Sequence, residues 1–454
     1  MVSGVDVLVV GGGNAGCAAA LAAARAGART MLVERYGFLG GTATAAMVGP
    51  WMTFHSGPER IVGGIAQEIV ERLIALGGSP GHVPDASDYV PTVTPFDPEI
   101  HKALLFDLMR ESGVRLLLHA LVVDALRDGS GAVSGARFAT VGGPREIRAR
   151  VTIDATADAF VAAAAGCELQ QGDERGRVQP ASLMFRLSHV DLAALAAYVR
   201  ARPEQLRSSL PAAERTPAAL TAVAGLYELW AQAQAEGIDV PRELVSFFAT
   251  PYPDEVTVNM TRVTDIDPLD PDDLTRAEIE ARAQAMRLVA FFRARVPGFE
   301  NARIAATATQ IGVRESRRIA GVYTLTRDDI VAGRTFDDAV ARSAYPIDIH
   351  NPSGSGTTTH RLPPGTSYEI PYRCLVPRAV DGLLVAGRCI STTHEALAST
   401  RLTPTVMTLG QAAGTAAALA LESGVAPRAV AARALRERLI AAGVDLRRAS
   451  AAGA

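Results

Sequence analysis

The chain opens with an almost unbroken apolar run and then changes its pattern in a defined order. Val5 to Val10 is nearly all apolar, as is typical of a buried parallel strand. A glycine turn follows, and the alanine-rich stretch Asn14 to Ala26 favours a helix. A second apolar run, Thr30 to Val33, ends at Glu34. This order predicts a complete β–turn–α–β unit.

Helical spacing and turn residues predict the next elements. Ile65, Ile69 and Leu73 indicate a helix from Gly64 to Leu76. At Asp97-Pro98-Glu99 a cap residue precedes a first-turn proline and an acid, which predicts a helix that reaches about Glu111. The stretch between them, rich in Gly, Pro, Ser and Asp, predicts an excursion over the surface or towards a substrate. Short strands are then predicted at 114–118, 121–125, 133–140 and 147–153, with hairpin turns.

The pattern changes between Ser182 and Ile349, where helical stretches at 192–199 and 218–235 alternate with strand-like runs. Thr275 to Glu278 has the form of a capping box before a long helix. We predict that residues 182–349 form an inserted α+β substrate or cap domain. A strand at 383–386, a polar loop at 387–402 and a helix from about Thr408 return the chain to the first domain, predicted as 1–181 and 350–425. Residues 426–454 are predicted to form a C-terminal helical tail.

Composition narrows the class of protein. A chain of 454 residues, 48% hydrophobic and 20% charged, exceeds one ordinary core and predicts two joined domains. Its net charge of −3 implies no strong attraction to nucleic acid. The chain enters an apolar strand without a basic leader, and its longest alanine stretch, 18–24, is too short to span a bilayer. We expect a cytoplasmic protein without a membrane span, and a homo-oligomer is one alternative for its assembly.

The four cysteines do not form a CxxC pattern. Cys17, Cys167, Cys374 and Cys389 lie far apart, which argues against an iron–sulfur cluster, a zinc knuckle or a flavin disulfide reductase. The absence of paired cysteines fits a reducing compartment. Cys389 has no partner for redox chemistry, and a small buried residue is the favoured interpretation.

The turn Gly11 to Gly16 carries the first chemical signal. In its GxGxxG spacing, Gly11 permits the tight turn, Gly13 lets backbone N–H groups approach phosphate, and Gly16 packs helix against strand. Asn14 and Ala15 lie in the same turn, where the helix N-terminus favours a pyrophosphate. Glu34, after the second strand, is placed to accept hydrogen bonds from a ribose. An NAD cofactor would use the same turn.

Two distant segments favour FAD over NAD. The strand Val151 to Ile153 ends in the small-residue turn Asp154 to Asp158, which lets the chain pass close to a cofactor. The strand from Leu383 ends in Gly387-Arg388, and Gly410 to Gly414 is expected at a helix start that would stabilise charge on a reduced flavin. Backbone contact at three separated segments suits a long dinucleotide.

Nine motifs are spread over most of the chain: GGGNAG (11–16), LGGTAT (39–44), GGIAQEIVERL (63–73), IDATAD (153–158), VNMTRV (258–263), GVRESRR (312–318), YPIDIH (345–350), YEIPYRCLVP (368–377) and AGRCISTTHEALASTRLTPTVMTLGQAAG (386–414). In these motifs the sequence resembles the FAD-dependent oxidoreductase family of the glutathione-reductase-like flavoprotein superfamily, distantly akin to fumarate reductase and succinate dehydrogenase flavoproteins. One departure is Ala157, where the family usually has glycine, and alanine should be tolerated if φ is negative there.

The resemblance and the residues together imply a Rossmann-like α/β domain with a β-meander and an FAD site. Val122 is expected to place a backbone amide at the adenine. Residues 40–46 hold no histidine, so FAD is expected to be non-covalent. The expected cofactor-binding residues are Gly11, Gly13, Asn14, Ala15, Gly16, Glu34, Arg35, Gly40, Gly41, Thr42, Val122, Ala155, Asp158, Gly387, Arg388, Gly410, Gln411 and Ala412.

The loop from Arg388 to Arg401 is the predicted catalytic segment, because it lies between two flavin-contacting elements. The distant relatives place a histidine and an arginine in the comparable loop, which implies roles for His394 and Arg401. His394 would transfer a proton, Glu395 would orient it, and Arg401 would bind a carboxylate or stabilise an enolate, with Arg388 beside them. Alternatively, His394 and Glu395 only brace the loop.

Four further residues are candidates for substrate contact: Trp51, Arg314, His350 and Tyr372. Trp51 would stack near the ring or fill core, and Arg314 would reach substrate or join an Arg–Glu network between the domains. Asp348 and His350 do not match a known metal spacing, so no metal is predicted, and the glycine-rich stretch after them is expected to be a lid with Gly354 and Gly356 as hinges.

These observations predict an FAD enzyme that moves a hydride between a C–C, C–O or C–N bond of a small-molecule substrate and flavin N5. Only one dinucleotide fingerprint is visible, so the electron partner stays open between oxygen, quinone, a carrier protein and NAD(P)H. Two alternatives remain: a flavin enzyme with net non-redox chemistry, such as an isomerase or hydratase, and a flavoprotein or scaffold subunit of a larger complex.

Overall fold

Strands and helices alternate in the first third of the chain, as the apolar pattern predicts. The structure is a computed structural model that describes residues 4–446. Its strands are β1 Val5–Val10, β2 Thr30–Val33, β3 His55–Ser56, β4 Glu59–Arg60, β5 Val83–Pro84, β6 Thr92–Val93, β7 Arg115–Leu117, β8 Leu121–Arg127, β9 Val133–Thr140, β10 Gly143–Asp154, β11 Leu169–Gln171, β12 Phe185–Ser188, β13 Ala222–Gly225, β14 Val245–Ala249, β15 Glu255–Val258, β16 Arg303–Thr307, β17 Arg317–Ile319, β18 Ala339–Ser343, β19 Ile347–His350, β20 Thr357–His360, β21 Tyr368–Pro371 and β22 Leu383–Val385. Its α-helices are α1 Asn14–Arg25, α2 Gly64–Ala75, α3 Pro98–Glu111, α4 Phe160–Ala164, α5 Leu192–Ala201, α6 Tyr227–Ala235, α7 Pro271–Arg295, α8 Arg327–Val331, α9 His394–Thr400, α10 Thr403–Ser423 and α11 Ala432–Ala441.

The central sheet has β1 at its middle. The strand order is β7-β2-β1-β10-β9-β8, and β22 pairs with β10. Both neighbours of β1 are parallel to it, with Val7 opposite Thr30 on β2 and Val151 on β10. Strands buried on both faces must be apolar throughout, which is why the first run of the sequence barely alternates. The predicted β–turn–α–β unit and the mixed α/β, Rossmann-like fold are confirmed.

Strand β10 joins the meander to this central sheet. Its first half pairs antiparallel with β9, where Arg148 lies opposite Gly135, and its second half pairs parallel with β1 and β22. The strand is longer than the apolar run at 147–153 because its polar first half is held by the β9 hairpin. Its carboxyl end delivers Asp154 and the following turn to the same sheet edge as the glycine turn.

A second sheet lies in the middle of the chain. It is antiparallel in the order β13-β14-β15-β12-β16, and its residues pack with α5, α6 and α7 around a separate apolar core that includes Trp230, Phe247 and Phe292. The predicted helix at 218–235 is half wrong, since Ala222–Gly225 is a strand and the helix begins at Tyr227. Pairing of β13 with β14 outweighs the helix propensity of alanine.

Two helix starts differ from the prediction for one reason. Helix α7 begins at Pro271 with Asp270 as its N-cap, so Thr275 lies inside it and donates to the Pro271 carbonyl (2.7 Å) instead of forming a capping box. Helix α10 begins at Thr403 with a first-turn proline, five residues before the predicted start. In both helices a proline lies in the first turn, as it also does in α3 after Asp97, and its fixed φ favours the start of a helix there.

The loop predicted at 387–402 contains a helix. Thr393 caps α9 by accepting a hydrogen bond from the Ala396 amide, and Arg401 ends it. Gly410 and Gly414 lie inside α10 rather than at its start. A Cβ on them would lie 2.0 Å from the Ala15 carbonyl and 2.1 Å from the Ala19 carbonyl, so these glycines let α10 pack against α1.

The last described element is α11, whose Leu435 and Leu439 are buried against the body of the protein. Residues 447–454 of the predicted tail lie outside the described residues. Within residues 4–446, none of the helices combines the length and the apolar character needed to cross a bilayer.

Candidate active site

A cavity of about 470 Å³ runs from the glycine turn of the central sheet to the inner face of the second sheet. Its size is that of an ordinary small-molecule site. The predicted site residues that line it are Gly11, Gly13, Asn14, Ala15, Glu34, Arg35, Gly41, Thr42, Val122, Ala155, Asp158, Arg314, His350, Gly387, Arg388 and Arg401.

Each of the three motif glycines is needed for a different structural reason. Gly11 has φ +103°, and a Cβ there would lie 2.5 Å from the Ala155 carbonyl oxygen. A Cβ on Gly16 would lie 1.8 Å from the Gly11 carbonyl oxygen. At Gly13, by contrast, φ is −66° and the nearest atom to a Cβ would be the Gly41 Cα at 3.7 Å. The fold therefore requires Gly11 and Gly16, whereas Gly13 keeps open a cradle at the cavity wall.

That cradle is built to receive an anion. Gly13 is the N-cap of α1 and supplies no side-chain cap, so the first-turn N–H groups of Asn14 and Ala15 are left for a ligand. Backbone N–H groups at a helix N-terminus bind phosphate without any charged side chain. The residues present fit the pyrophosphate of a dinucleotide.

Glu34 shapes the turn from the end of β2. Its Oε2 accepts a hydrogen bond from the Gly12 amide (2.5 Å) and its Oε1 accepts one from the Tyr36 amide (3.0 Å). Burial raises the pKa of Glu34, and these hydrogen bonds oppose the shift. Glu34 lines the cavity, a position from which it could contact a ribose. The contact itself stays a prediction.

Asp158 and Arg388 form a pair on the cavity wall. Arg388 donates from Nη2 to Asp158 Oδ1 (2.6 Å) and from Nη1 to the Ala157 carbonyl (2.6 Å). Burial opposes the ionisation of Asp158, but Arg388 and the Ser316 hydroxyl outweigh it and lower the pKa. The condition under which alanine was expected to be tolerated at Ala157, a negative φ, is not met, because φ is +68°. A glycine would adopt this left-handed conformation without strain, whereas alanine holds it at a cost.

His394 is not one of the described residues that line the cavity. Its Nδ1 lies 2.8 Å from Glu315 Oε1, and the fully buried Glu315 also pairs with Arg318 at 2.5 Å. Glu395, the predicted orienting partner, is the next residue of the same helix and does not line the cavity either. The bracing alternative fits this geometry, with Glu315 in the role foreseen for Glu395.

Trp51 and Tyr372 also lie behind the wall. The Trp51 ring stacks on Phe96 (centroids 4.4 Å apart) and meets His101 edge-on, which places it in the core. The Tyr372 hydroxyl donates to the Pro427 carbonyl (2.8 Å), away from the cavity. Of the two interpretations of Trp51, core filling fits this geometry, whereas Tyr372, predicted to contact substrate, does not reach the cavity.

Five of the predicted cofactor residues do not line the cavity: Gly16, Gly40, Gly410, Gln411 and Ala412. Gln411 accepts a hydrogen bond from the Ile65 amide (2.9 Å) and donates to the Ala442 carbonyl (3.2 Å), so it ties α10 to α2 and to the C-terminal segment. Gly410 and Ala412 are buried beside it in α10. Gly40 has φ +105° and turns the chain towards Gly41, which does line the cavity. At α10 the cavity is met instead by Leu402 and Thr403, at the helix N-terminus.

The far end of the cavity holds a cluster of arginines that the sequence reasoning did not assemble. Arg314 and Arg401 were predicted, and Arg207, Arg242 and Arg262 join them on the wall. The motif around Arg262 was visible at 258–263, but nothing in the sequence showed that this side chain meets the others. Burial lowers the pKa of Arg314, and the charges of Arg401, Arg242 and Arg262 lower it further.

Asp348 is the buried carboxylate of this cluster. Its Oδ2 lies 3.4 Å from His350 Nε2, 3.4 Å from the Tyr345 hydroxyl and 3.7 Å from Arg401 Nη2. Burial opposes its ionisation, but His350, Arg401 and the Tyr89 hydroxyl together lower its pKa below the usual range. Asp348 is therefore ionised near neutral pH.

The hydrogen bonds of His350 fix its protonation. Its Nδ1 lies 2.6 Å from Arg262 Nη2, and a guanidinium can only donate, so Nδ1 accepts and the ring proton is on Nε2, facing Asp348. Burial and the charge of Arg314 lower the pKa of His350 to about 3, which agrees with a neutral ring. Arg262 also donates to the Gly354 and Gly356 carbonyls (3.0 Å each) and so holds the β19–β20 hairpin over the cavity. Hinge motion of this hairpin stays a prediction.

Comparison with known proteins gives one family and one fold. A family model described as FAD dependent oxidoreductase matches residues 6–439. The sequence matches no protein of curated function at a significant level. Among solved structures, a triple mutant of the flavin-dependent brominase Bmp2 is 14% identical with a TM-score of 0.50, and the match covers 96% of this chain and 84% of that one. A geranylgeranyl bacteriochlorophyll reductase-like protein from Thermoplasma acidophilum is 14% identical with a TM-score of 0.49, over 96% of this chain and 83% of that one.

Proposed function

The chain belongs to the FAD-dependent oxidoreductase family, with FAD as its cofactor, and we propose that it transfers a hydride between a small-molecule substrate and N5 of non-covalently bound FAD. One observation carries the proposal: a single cavity joins the phosphate cradle at Gly13 to the arginine cluster around Arg314. A cofactor held at one end and a substrate held at the other would meet within it.

The proposed division of the chain follows the two ends of the cavity. Residues 1–181 and 350–425 form the FAD-binding domain, residues 182–349 cover the substrate, and residues 426–454 close the chain. The second apolar core, formed between Phe185 and Ala302, supports a separate covering unit. The second boundary is not supported, because Ile319, Ala339 and Ile347 belong to the first core and so pack with the FAD-binding domain. The cavity wall supports the covering unit too, because the phosphate cradle belongs to the first sheet and Val223, Ser246 and Phe248 belong to the second.

The chain's own groups would hold FAD through backbone and dipole contacts. The N–H groups of Asn14 and Ala15 would bind the pyrophosphate, and Glu34 would accept from a ribose. The N-terminus of α10 at Thr403, rather than Gly410, would stabilise negative charge on the flavin ring. The bound flavin supplies the hydride acceptor or donor that no amino-acid side chain can provide.

Arg401 is the group we assign to substrate contact. Its Nε has no hydrogen-bond partner among the described residues although it is buried, and Nη2 makes only long contacts with Asp348, at 3.4 Å to the carbonyl and 3.7 Å to Oδ2. A guanidinium with free N–H groups at a cavity wall is suited to grip a carboxylate.

His394 is assigned to positioning rather than to contact. Helix α9 begins at His394 and Arg401 is its C-cap, so the pair of His394 with the buried Glu315 fixes the helix that precedes Arg401. The proton-transfer role foreseen for His394 is the rival assignment. The ionised Asp348 and the hydroxyl of Tyr345 are the nearer groups for holding a proton at the substrate end.

Anaerobic mixing with a panel of small organic acids, alcohols and amines tests the reaction class. Loss of the yellow flavin absorbance with one of them, and its return on adding an electron acceptor, is the expected result. Product formed with unbleached flavin would favour the non-redox alternative. Activity seen only with a partner subunit would favour the subunit alternative, and a protein that cannot be loaded with FAD would contradict the proposal.

Variants separate contact from positioning. Arg401→Ala should raise KM while FAD stays bound, and an unaltered KM would contradict the assignment. His394→Gln should raise KM through Arg401 and leave the pH profile of kcat in place. Loss of one ionisation from that profile in His394→Gln would instead make His394 the proton carrier.

A further inference from the structure

Arginines buried in this protein are usually paired with carboxylates. Arg318 pairs with Glu315, Arg186 with Asp97 and Glu255, and Arg388 with Asp158. Arg242 and Arg314 do not follow this rule: within residues 4–446, neither has a carboxylate oxygen within 4.0 Å. Both line the far end of the cavity, as does Arg262, which has no carboxylate of the described residues within that distance either. Arg215 also lacks a carboxylate in the described part of the chain, but it lies outside the cavity and is held by three backbone carbonyls.

The two guanidiniums are only partly satisfied by neutral groups. Arg314 donates from Nη1 to the Pro180 carbonyl (2.8 Å) and the Ser182 hydroxyl (2.9 Å), and Arg242 donates from Nη2 to the Asn259 carbonyl (3.1 Å). Each guanidinium carries five N–H groups, so most of those on the two arginines remain for a ligand. Arg262, in contrast, is held by His350 and by the carbonyls of the hairpin.

The local charge is strongly positive. Arg207, Arg242, Arg262, Arg314 and Arg401 face the buried Asp348 and the exposed Glu243, while His350 is neutral. Burial and the repulsion from Arg262 lower the pKa of Arg242 to about 10. The arginines repel one another across the cavity, so a negative ligand would relieve this repulsion.

The rest of the chamber is apolar. Met184, Val223 and Phe248 form its wall on the second sheet, beside the arginines. An inorganic ion would leave this wall uncovered, whereas a carbon skeleton would pack on it. The chamber thus combines a surface for carbon with separated guanidiniums for anionic groups.

We propose that the substrate is a small organic acid with at least two carboxylates, one bound between Arg314 and Arg401 and the other at Arg242. This inference rests on the proposed function, because it names the substrate class of the same cavity. The planar fork of a guanidinium matches the two oxygens of a carboxylate, and two such pairs would fix the skeleton against the apolar wall.

Calorimetric titration of the FAD-loaded protein tests the substrate class directly. Succinate, glutarate and citrate should bind at least about 10-fold more tightly than acetate or inorganic phosphate, since each further carboxylate adds a hydrogen bond between charged groups. The preference should shrink as salt is raised. Acetate or phosphate binding as tightly as the three acids would overturn the proposal.

Variants locate the carboxylates. Arg314→Gln and Arg242→Gln should each weaken binding of the preferred acid about 10- to 100-fold, as the loss of a charged hydrogen bond predicts. Arg287→Gln is the matched control, because this arginine is exposed on α7 and lies outside the cavity. If a glutamine variant fails to fold, the titration of the unaltered protein still decides the proposal. Equal affinities in the cavity variants and the control would overturn it.

The two proposals can fail separately. A protein that binds FAD and is bleached by an uncharged or singly charged compound, but ignores the three acids, overturns the substrate class and leaves the redox function standing. A protein that binds the acids tightly but forms product without flavin reduction supports the site and contradicts the hydride transfer.

Discussion

Replacement of Gly13 by alanine should separate cofactor binding from folding. The backbone at Gly13 has φ −66° and ψ 173°, which any residue adopts, and a Cβ there would meet no atom closer than 3.7 Å. The new methyl group would stand in the cavity at the N-terminus of α1, where phosphate oxygens have to approach the backbone.

The substitution should lower the affinity for FAD but not the stability of the FAD-free protein. Loss of one or two hydrogen bonds from backbone N–H to phosphate, at about 1.5–3 kcal/mol each, would weaken FAD about 10- to 100-fold or more. The free energy of unfolding of the FAD-free protein should stay the same or rise by about 0.4–1 kcal/mol, because alanine restricts the unfolded chain at a compatible φ. Few substitutions improve a fold and remove its cofactor together.

The assay is a pair of measurements on each variant: FAD affinity from flavin fluorescence, and urea unfolding of the FAD-free form. Gly129→Ala is the neutral control, since this exposed turn glycine has no atom within 4 Å of a Cβ and lies outside the cavity. Gly11→Ala is the opposite control and should lose both fold and FAD, because its Cβ would lie 2.5 Å from the Ala155 carbonyl. Gly13→Ala with unchanged FAD affinity would refute the reasoning, as would destabilisation equal to that of Gly11→Ala.

Three further predictions follow from the same structure. Ala157→Gly should raise the free energy of unfolding by about 0.5–1 kcal/mol, because relief of about 1–2 kcal/mol of left-handed strain at φ +68° exceeds the entropic cost of about 0.4–1 kcal/mol. The control Ala163→Gly inside α4 should lower the free energy of unfolding by about 0.5–1 kcal/mol, and equal changes in the two variants would contradict the strain at Ala157. The Glu34→Ala variant should purify with less FAD, because the turn loses the acceptor of the Gly12 amide and the ribose loses its partner. A wild-type ratio of FAD to protein in this variant would refute the role of Glu34 in FAD binding. Burial lowers the pKa of His101 from 6.5 to about 3, so between these pH values the unfolded chain binds a proton that the folded chain does not. The free energy of unfolding should therefore fall as pH falls through this window. His101→Gln should flatten this pH dependence, and equal slopes of unfolding free energy against pH in the variant and the unaltered protein would contradict the prediction.

Local sequence signals predicted the first domain well. The apolar run, the glycine spacing and the cap at Asp97 each act within a few residues, and the structure places β1, α1, β2 and α3 where they indicate. Prolines also lie in the first turns of α7, after Asp270, and of α10, after Leu402, whereas the capping pattern at Thr275 and the glycines of α10 predict later starts. These misses concern where helices begin rather than which segments are helical.

Glycines illustrate the limit of motif reasoning. Gly13 and Gly410 both lie near small residues in helical segments, and both were expected to face the cofactor. Only Gly13 lines the cavity, whereas Gly410, in α10, packs against the Ala15 carbonyl of α1. Which surface a glycine opens depends on its neighbour in space, and the sequence does not contain that neighbour's position.

The sequence by itself determined the dinucleotide turn, the central sheet and the family, because short-range propensity and backbone requirements leave few alternatives for these segments. Only the tertiary structure decided the far end of the cavity. Arg207, Arg242, Arg262, Arg314 and Arg401 come from widely separated segments, and each alone resembles any solvated arginine. Their mutual repulsion and their unmet hydrogen bonds exist only once the two sheets close around them, and so the substrate chamber is a property of the folded chain.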